Sequence, residues 1–409
     1  MQANFISLAG IVVLLVIAVL LSSNPRAINL RIVGSAFALQ VLMAVLVLYL
    51  PWGKSAIQSL SLSIQSVLDY SESGINMVFG NLADRNRGFS FAVHVLPIII
   101  FFSALITVLY HLKIMQFVVS AIGGAIRWIV GTQPVESLNA AANMFVGQTE
   151  APLVVRPYLP KLTDAQIFTI MVSGLASVAG TVLLAYAQMG IRLEYLLAAS
   201  FMAAPGGLLM AKIILPDDPE TLEESHAPVI LKPEESHYEN VILAAAVGAQ
   251  DGVRLAVNIG AMLLAFVSLI ALMNGILGGV GGWFGVENLT FEGILGTLFA
   301  PLMYLLSVPW SEAQIAGGIF GEKLILNEFV AYLHLGEVVK DLSPRTEAVV
   351  TFSLCGFANL SSIAILLGGL GSLIPAKREL IARYGLKAVA AGSLSNLMSA
   401  ALAGLLLVF

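Results

Sequence analysis

The chain has 409 residues, of which 58% are hydrophobic and only 11% charged, with a formal net charge of −5. Soluble globular domains carry roughly 25% charged residues, so a water-soluble enzyme or binding domain is excluded, and nucleic-acid binding, which needs a basic surface, is excluded with it. The single cysteine, Cys355, rules out an intrachain disulfide and a thiolate metal cluster.

The first apolar runs, 5–22 and 33–50, contain no charged residue. Each is long enough to cross a hydrocarbon core of about 30 Å in helical form. No Lys or Arg precedes the first run, which predicts a retained span rather than a cleaved signal peptide. Arg26 and Arg31 follow it, and that bias places the loop after the first span in the cytoplasm and the N-terminus outside. A second basic cluster, Lys377, Arg378, Arg383 and Lys387, predicts another cytoplasmic loop. Spans are predicted near 5–22, 30–50, 92–111, 164–187, 193–213, 250–275, 346–370 and 385–408.

Between the second and third spans, "SAIQSLSLSIQSVLDYSESGINMVFGNLADRNRGFS" combines helical spacing of apolar residues with a Ser/Gln/Asp face, which predicts a helix lying along the interface. Residues 288–305 predict a comparable segment or a partial span. Residues 134–160 and 309–335 are semi-apolar and broken midway. In the first, Gly147 disfavours helix and Pro152 pushes Ala151 out of helical geometry. Both segments predict helix–turn–helix hairpins that enter the membrane partway. Irregular backbone survives at that depth only when it is buried in protein or lines a cavity. "PDDPETLEESHAPVILKPEESHYEN" (216–240), with eight acids and one lysine, reads as a solvated linker.

The chain also repeats itself. "SGLASVAGTVLLAY" from Ser173 aligns without gaps on "CGFANLSSIAILLG" from Cys355, and each follows its broken hairpin at a similar distance. Gly-interrupted spans in corresponding halves point to an internal repeat with a site at its centre. The predicted fold is therefore an all-α polytopic membrane protein with about eight transmembrane helices, two re-entrant hairpins, interfacial helices and an internal inverted repeat. Its predicted divisions are N-terminal scaffold helices (1–130), first hairpin and broken span with the next helix (131–213), acidic loop (214–249), scaffold helix and interfacial segment (250–308), second hairpin and broken span (309–384) and C-terminal helix (385–409).

A carboxylate at the centre of a membrane helix costs about 2.5–3.5 kcal/mol on insertion scales, so Glu150 and Glu328 need partners, water or a ligand. With Gln148, Thr149, Asn359, Ser361 and Ser362 they offer acceptors and donors but no positive charge close in sequence. Such a set suits a neutral, hydroxyl-rich substrate, a cation or both. Lys323 is expected to snorkel to the interface, and Glu312 and Glu322 to sit at hairpin ends near water. Ser173, Thr181 and Ser361 are expected to bond back to their own helices. There is no HExxH pair, no G-x-S-x-G elbow and no P-loop. Without a nucleophile–base pair an enzyme is not expected; a cation channel and a transporter driven by an ion gradient, protons included, remain open.

"GQTEAPLVVRPYLP", "NEFVAY" and "CGFANLSSIAILLGGLGSL", with "LLSSNPRAINLR" near the start and "GSLSNLMSA" near the end, resemble the concentrative nucleoside transporter family over nearly the whole chain. The resemblance is to its bacterial sodium-coupled members. It implies a homotrimer in the lipid of the bacterial cytoplasmic membrane, moving uridine-like nucleosides with sodium as coupling ion and no other cofactor. It further implies that Gln148, Thr149, Glu150 and Val182 address the nucleobase, that Glu328, Asn359 and Ser362 hold the ribose, and that Phe357 lines the pocket. For sodium it implies Asn143, Val146, Ser177 and Val178, the valines through their carbonyls; proton-coupled relatives tend to lack the asparagine.

Overall fold

Backbone polar groups inside hydrocarbon must be satisfied within their own segment, and among the described residues every regular element is accordingly helical. The computed structural model describes residues 2–84, 86, 88–218, 238–286 and 289–407. Most of the acidic linker, 219–237, lies outside the described residues.

In chain order the helices are α1 (Gln2–Leu20), α2 (Leu30–Ala44), α3 (Pro51–Phe79), α4 (Phe91–His94), α5 (Leu96–His111) and α6 (Ile114–Val130). The first half then closes with α7 (Pro134–Ala142), α8 (Ala151–Val154), α9 (Asp164–Ala176), α10 (Gly180–Gln188) and α11 (Leu193–Ile214). The second half holds α12 (Val241–Trp283), α13 (Phe291–Leu305), α14 (Trp310–Ile325), α15 (Glu328–Val338), α16 (Pro344–Leu354), α17 (Ser361–Gly368), α18 (Leu370–Leu373) and α19 (Arg378–Leu406).

Local chemistry sets the boundaries that matter for the site. Thr163 caps α9 in a reciprocal box, its Oγ1 accepting from Gln166 N at 3.3 Å while Gln166 Oε1 accepts from Thr163 N at 2.9 Å. Asn327 caps α15 through Val330 N at 3.0 Å, and Ser343 with Pro344 opens α16. Helices α9 and α10 are separated by Ser177–Ala179, and α16 and α17 by Cys355–Leu360. These are the interruptions that the repeat in the sequence marks. The two hairpins are α7 with α8, and α14 with α15; the pair α13 and α14 is bent by 117°.

Side-chain contacts fix the direction of each half. Lys377 binds Asp164 at 2.7 Å, so α9 starts beside the N-terminal end of α19. Arg345 donates to the carbonyl of Gly404 at 2.7 Å, so α16 starts beside the opposite end. The broken spans therefore run antiparallel. One foot of the first hairpin, Glu136, meets Lys212 near the end of α11 at 2.6 Å. The feet of the second are tied where Ser343 Oγ donates to Glu312 at 2.8 Å, next to the start of α16. The hairpins thus enter from opposite ends, and the repeat is inverted.

Some expectations need correction. Helix α6, an amphipathic segment whose Gly123 packs on the backbone of Leu138, was not anticipated as a separate element. Helix α12 is 43 residues long rather than spanning 250–275, because Asn240 caps it ahead of Val241 through Leu243 N at 2.9 Å and no break stops it before Trp283. The basic residues Arg378, Arg383 and Lys387 belong to the first turns of α19, not to a loop. Ser23 N donates to the carbonyl of Ile214 at 2.9 Å, which puts the Arg26 loop at the same end of the bundle as Lys377.

Burial divides the chain into two kinds of helix. The most apolar windows of 164–188 and 193–214 are 94% buried, whereas those of 91–111 and 241–283 are 28% and 22% buried. Helices α5 and α12 pack on each other at the edge, with Gly252 against Ile100 and Ser103 and Gly248 against Thr107 and Ala104.

The buried Lys212 ammonium also binds Asp217 at 2.6 Å, forming a triad with Glu136. Removing one partner of a buried pair typically costs about 3–5 kcal/mol. Lys212→Met, which leaves both carboxylates without their cation, is expected to lower the melting temperature by several degrees. Cys355 is buried and is the single thiol, so a thiol-reactive fluorophore reads the melt directly.

Candidate functional site

Each helix break is bonded to its own hairpin. The amide of Gly180 donates to the carbonyl of Phe145 at 3.0 Å, joining the first break to the first hairpin tip. The amide of Leu360 donates to the carbonyl of Leu324 at 3.1 Å, joining the second break to the second hairpin. The breaks also touch each other, with Phe357 N donating to the carbonyl of Ser177 at 3.1 Å. These contacts bring residues that lie some two hundred positions apart in sequence to one place near the centre of the bundle.

Glu328 is the anchor. It is the first residue of α15, where the helix dipole favours a carboxylate. Its Oε1 accepts from Tyr186 OH and its Oε2 from Asn359 Nδ2, both at 3.0 Å. Asn359 Oδ1 accepts in turn from Ser361 Oγ at 2.7 Å and from Ser362 N at 2.9 Å. Gln148 reaches across from the first hairpin, its Nε2 donating to Ser362 Oγ at 3.3 Å. Glu328, Asn359, Ser362 and Gln148 are all buried, and Gln148 Oε1 has no protein partner. Val182 is buried one helical turn before Tyr186, on the same face of α10. Thr149 packs its methyl group on Gly369, and Phe357 is half-buried beside the core.

Glu150 stands apart from this network. Its Oε2 accepts from Gly147 N at 2.6 Å and so closes its own hairpin turn. A second group gathers one step away. Asn143 Nδ2 donates to the carbonyl of Asn139 at 2.9 Å, which leaves Asn143 Oδ1 buried without a partner. That oxygen lies 3.6 Å from where a Cβ on Gly174 would stand. Ser177 Oγ gives its proton to the carbonyl of Ser173 at 2.9 Å, keeping its lone pairs free. The amides beyond each turn pass over Val146 and Val178: Glu150 and Ala151 both donate to Gly147, and Val182 and Leu183 both donate to Ala179.

Three expectations about single residues change. Lys323 does not snorkel; it is fully buried and donates to the carbonyl of Ser353 at 2.9 Å and to Asn396 Oδ1 at 2.7 Å. Glu322 is not near water but buried against His334 Nδ1 at 2.9 Å. Ser361 bonds to Asn359 and to the carbonyl of Leu326 rather than back onto its own helix. Glu312 is half-buried at a hairpin foot, and Ser173 bonds back to Thr169 at 2.8 Å as expected. Tyr186 and Asn396 were missed altogether. Their signals were available: Tyr186 stands four residues after Val182, and Asn396 is a lone amide in an apolar helix.

Three family models cover most of the chain: "Na+ dependent nucleoside transporter N-terminus" over 9–82, "Nucleoside recognition" over 92–192 and "Na+ dependent nucleoside transporter C-terminus" over 195–404. The chain belongs to the Na+-dependent, or concentrative, nucleoside transporter family. It is 53% identical to the nucleoside permease NupC of Helicobacter pylori over 98% of both chains. It is 37% identical to sodium/nucleoside cotransporter 1 of Rattus norvegicus, over 99% of this chain and 64% of that one. The structure of CNTnw in an inward-facing substrate-bound state matches with a TM-score of 0.93 at 50% identity, covering 99% of this chain and 98% of that one. A CNTnw variant in an outward-facing state matches with a TM-score of 0.93 at 49% identity, over the same shares of the two chains. The chain is thus an integral membrane transporter of nucleosides, not an enzyme, and it works by alternating access.

The transporter's centre tolerates no added bulk at Gly356, where a Cβ would collide with the Asn396 amide and stand 2.8 Å from the carbonyl of Ala176. Overpacking of this kind costs about 1–3 kcal/mol. Gly356→Ala is expected to lower the melting temperature and to weaken nucleoside binding in the protein that still folds. A melt and a uridine titration on the same preparation check both.

Proposed function

We propose that this transporter is a sodium-coupled symporter that carries nucleosides, uridine and other pyrimidine nucleosides first among them, into the cell. The observation that carries the reading is the buried carboxylate–amide network of Glu328 and Asn359 with Ser362 and Gln148, next to the unpaired oxygen of Asn143. A carboxylate and an amide suit the adjacent hydroxyls of a ribose, since ionised acceptors form the stronger hydrogen bonds. Gln148 keeps a free acceptor beside a donor, the complement of the imide edge of uracil. Val182, Phe357 and the methyl of Thr149 supply apolar surface for the base. Glu150 contributes to the base side by holding the hairpin turn that presents Gln148.

Sodium is read onto Asn143 Oδ1, Ser177 Oγ and the carbonyls of Val146 and Val178, an oxygen-only set suited to a hard cation. Asn143 Oδ1 supports this most directly, because a buried acceptor without a partner costs free energy unless a ligand or water meets it. The basic clusters at one end of the bundle support a cytoplasmic position for that end and an external N-terminus, in the bacterial inner membrane. The exposed apolar faces of α5 and α12 suit the contacts of a homotrimer, against which the buried bundle would move.

Uptake of radiolabelled uridine into proteoliposomes tests the coupling ion. Accumulation above equilibrium is expected with an inward sodium gradient and not with an inward proton gradient; accumulation driven by protons alone would transfer coupling to a carboxylate and end the sodium assignment. Asn143→Leu is expected to remove the sodium dependence of uptake. Glu328→Gln tests the ribose contact. A hydrogen bond to a charged group contributes about 1.5–3 kcal/mol, so affinity for uridine should fall roughly 10- to 150-fold with little change in melting temperature. Normal uptake by a correctly inserted Glu328→Gln protein would remove Glu328 from the ribose site.

A further inference from the structure

One side chain bridges both broken spans, beside the direct bond from Phe357 N to the carbonyl of Ser177. Asn396 is buried in α19, and its Nδ2 donates to the carbonyl of Ala176 at 2.6 Å and to the carbonyl of Cys355 at 2.9 Å. Ala176 is the last residue of α9, and Cys355 is the first residue after α16. On its other side, Asn396 Oδ1 accepts from Lys323 Nζ at 2.7 Å, and the same ammonium donates to the carbonyl of Ser353 at 2.9 Å. One amide therefore joins the first break, the second break and the second hairpin. Gly356 lets it approach that closely.

Each anchor adjoins a different part of the site. Ala176 precedes Ser177 and Val178, the residues read as holding the cation. Cys355 leads into Phe357 and Asn359, and Lys323 lies near the end of α14, across the hairpin turn from Glu328 at the start of α15. A carbonyl at the end of a broken helix has lost its i+4 amide partner, so its orientation is set by whatever donor replaces that amide. Here the replacement is the same planar group for both breaks. A shift of the Ala176–Val178 backbone on cation binding must turn the Asn396 amide or stretch its bonds. Either change reaches the segment that carries Asn359. A buried amide and a buried ammonium are costly in a membrane-embedded core unless paired, and simple helix packing would be served by an apolar residue at both positions.

We propose that Asn396, oriented by Lys323, is the positioning residue that couples the cation half of the site to the nucleoside half. The inference rests on the sodium–nucleoside reading above and adds the group through which one ligand is felt by the other. Linkage requires that each ligand raise affinity for the other by the same factor, about 5- to 150-fold in typical cases.

The test is the uridine dissociation constant of the purified intact protein, measured in saturating sodium and in choline, for wild type, Asn396→Asp and Lys323→Met. Wild type is expected to bind uridine more tightly in sodium by a factor in that range. Asn396→Asp keeps an oxygen for Lys323 but has no donor for Ala176 or Cys355, so the ratio should fall to about one to three. Lys323→Met leaves the donors in place but frees the amide to rotate, and its ratio should lie between those of Asn396→Asp and wild type. A lost packing contact would lower the melting temperature without moving the ratio. Variants that melt cooperatively and keep the wild-type ratio overturn the proposal while leaving the sodium reading intact. A wild-type ratio of one overturns the sodium reading, and this inference with it. Where Asn396→Asp gives no cooperative melt, the ratio for Lys323→Met decides by the same criterion.

Discussion

A helix that stops halfway through a membrane releases carbonyls and amides that hydrocarbon cannot satisfy, and each such group must find a partner inside the protein. This constraint organises the structure. The first break passes an amide bond to Phe145 of its hairpin and offers the carbonyls of Ala176 and Ser177 to Asn396 and Phe357. The second break passes an amide bond to Leu324 and offers the carbonyl of Cys355 to Asn396. The hairpins are thus more than neighbours of the broken spans; they complete the backbone hydrogen bonding that the spans have lost. Among the buried side-chain atoms left without a partner are the oxygens of Asn143 and Gln148, where ligands are read to bind.

Charge placement follows from the same low-dielectric setting. Glu328 stands at a helix N-terminus with two neutral donors on its oxygens. Lys212 sits between two carboxylates at the end of α11, where it ties the first hairpin's foot to the bundle. Glu322 leans on His334 from the other arm of its hairpin. None of these groups is left to face hydrocarbon alone, as the cost of burying an isolated charge requires. The well-buried bundle and the exposed α5–α12 pair are two bodies of different character, a division suited to alternating access by movement of one against the other.

Much of this was legible in order along the chain. Apolar runs located the six long apolar helices among the described residues, Gly147 and Pro152 located the first hairpin's turn, and the alignment of Ser173–Tyr186 with Cys355–Gly368 located both breaks. The charged residues were read less well. The basic residues after Lys377 looked like loop, because hydropathy sees a charge and not the helical face that carries it. Lys323 and Glu322 were assigned to water because nothing local in the sequence announces a partner.

By itself the sequence determined that this is a helical membrane protein with broken elements in matching halves, since hydrophobic length and helix-breaking residues act over a few turns of one chain. It also contained the motifs that identify a nucleoside transporter. Only the tertiary structure decided that Tyr186 shares Glu328 with Asn359 and that Asn396 meets both breaks at once. Those pairings join residues that are far apart along the chain. Their partners are chosen by which unsatisfied groups the fold brings within about 3 Å, the reach of a hydrogen bond, and no local pattern encodes that distance.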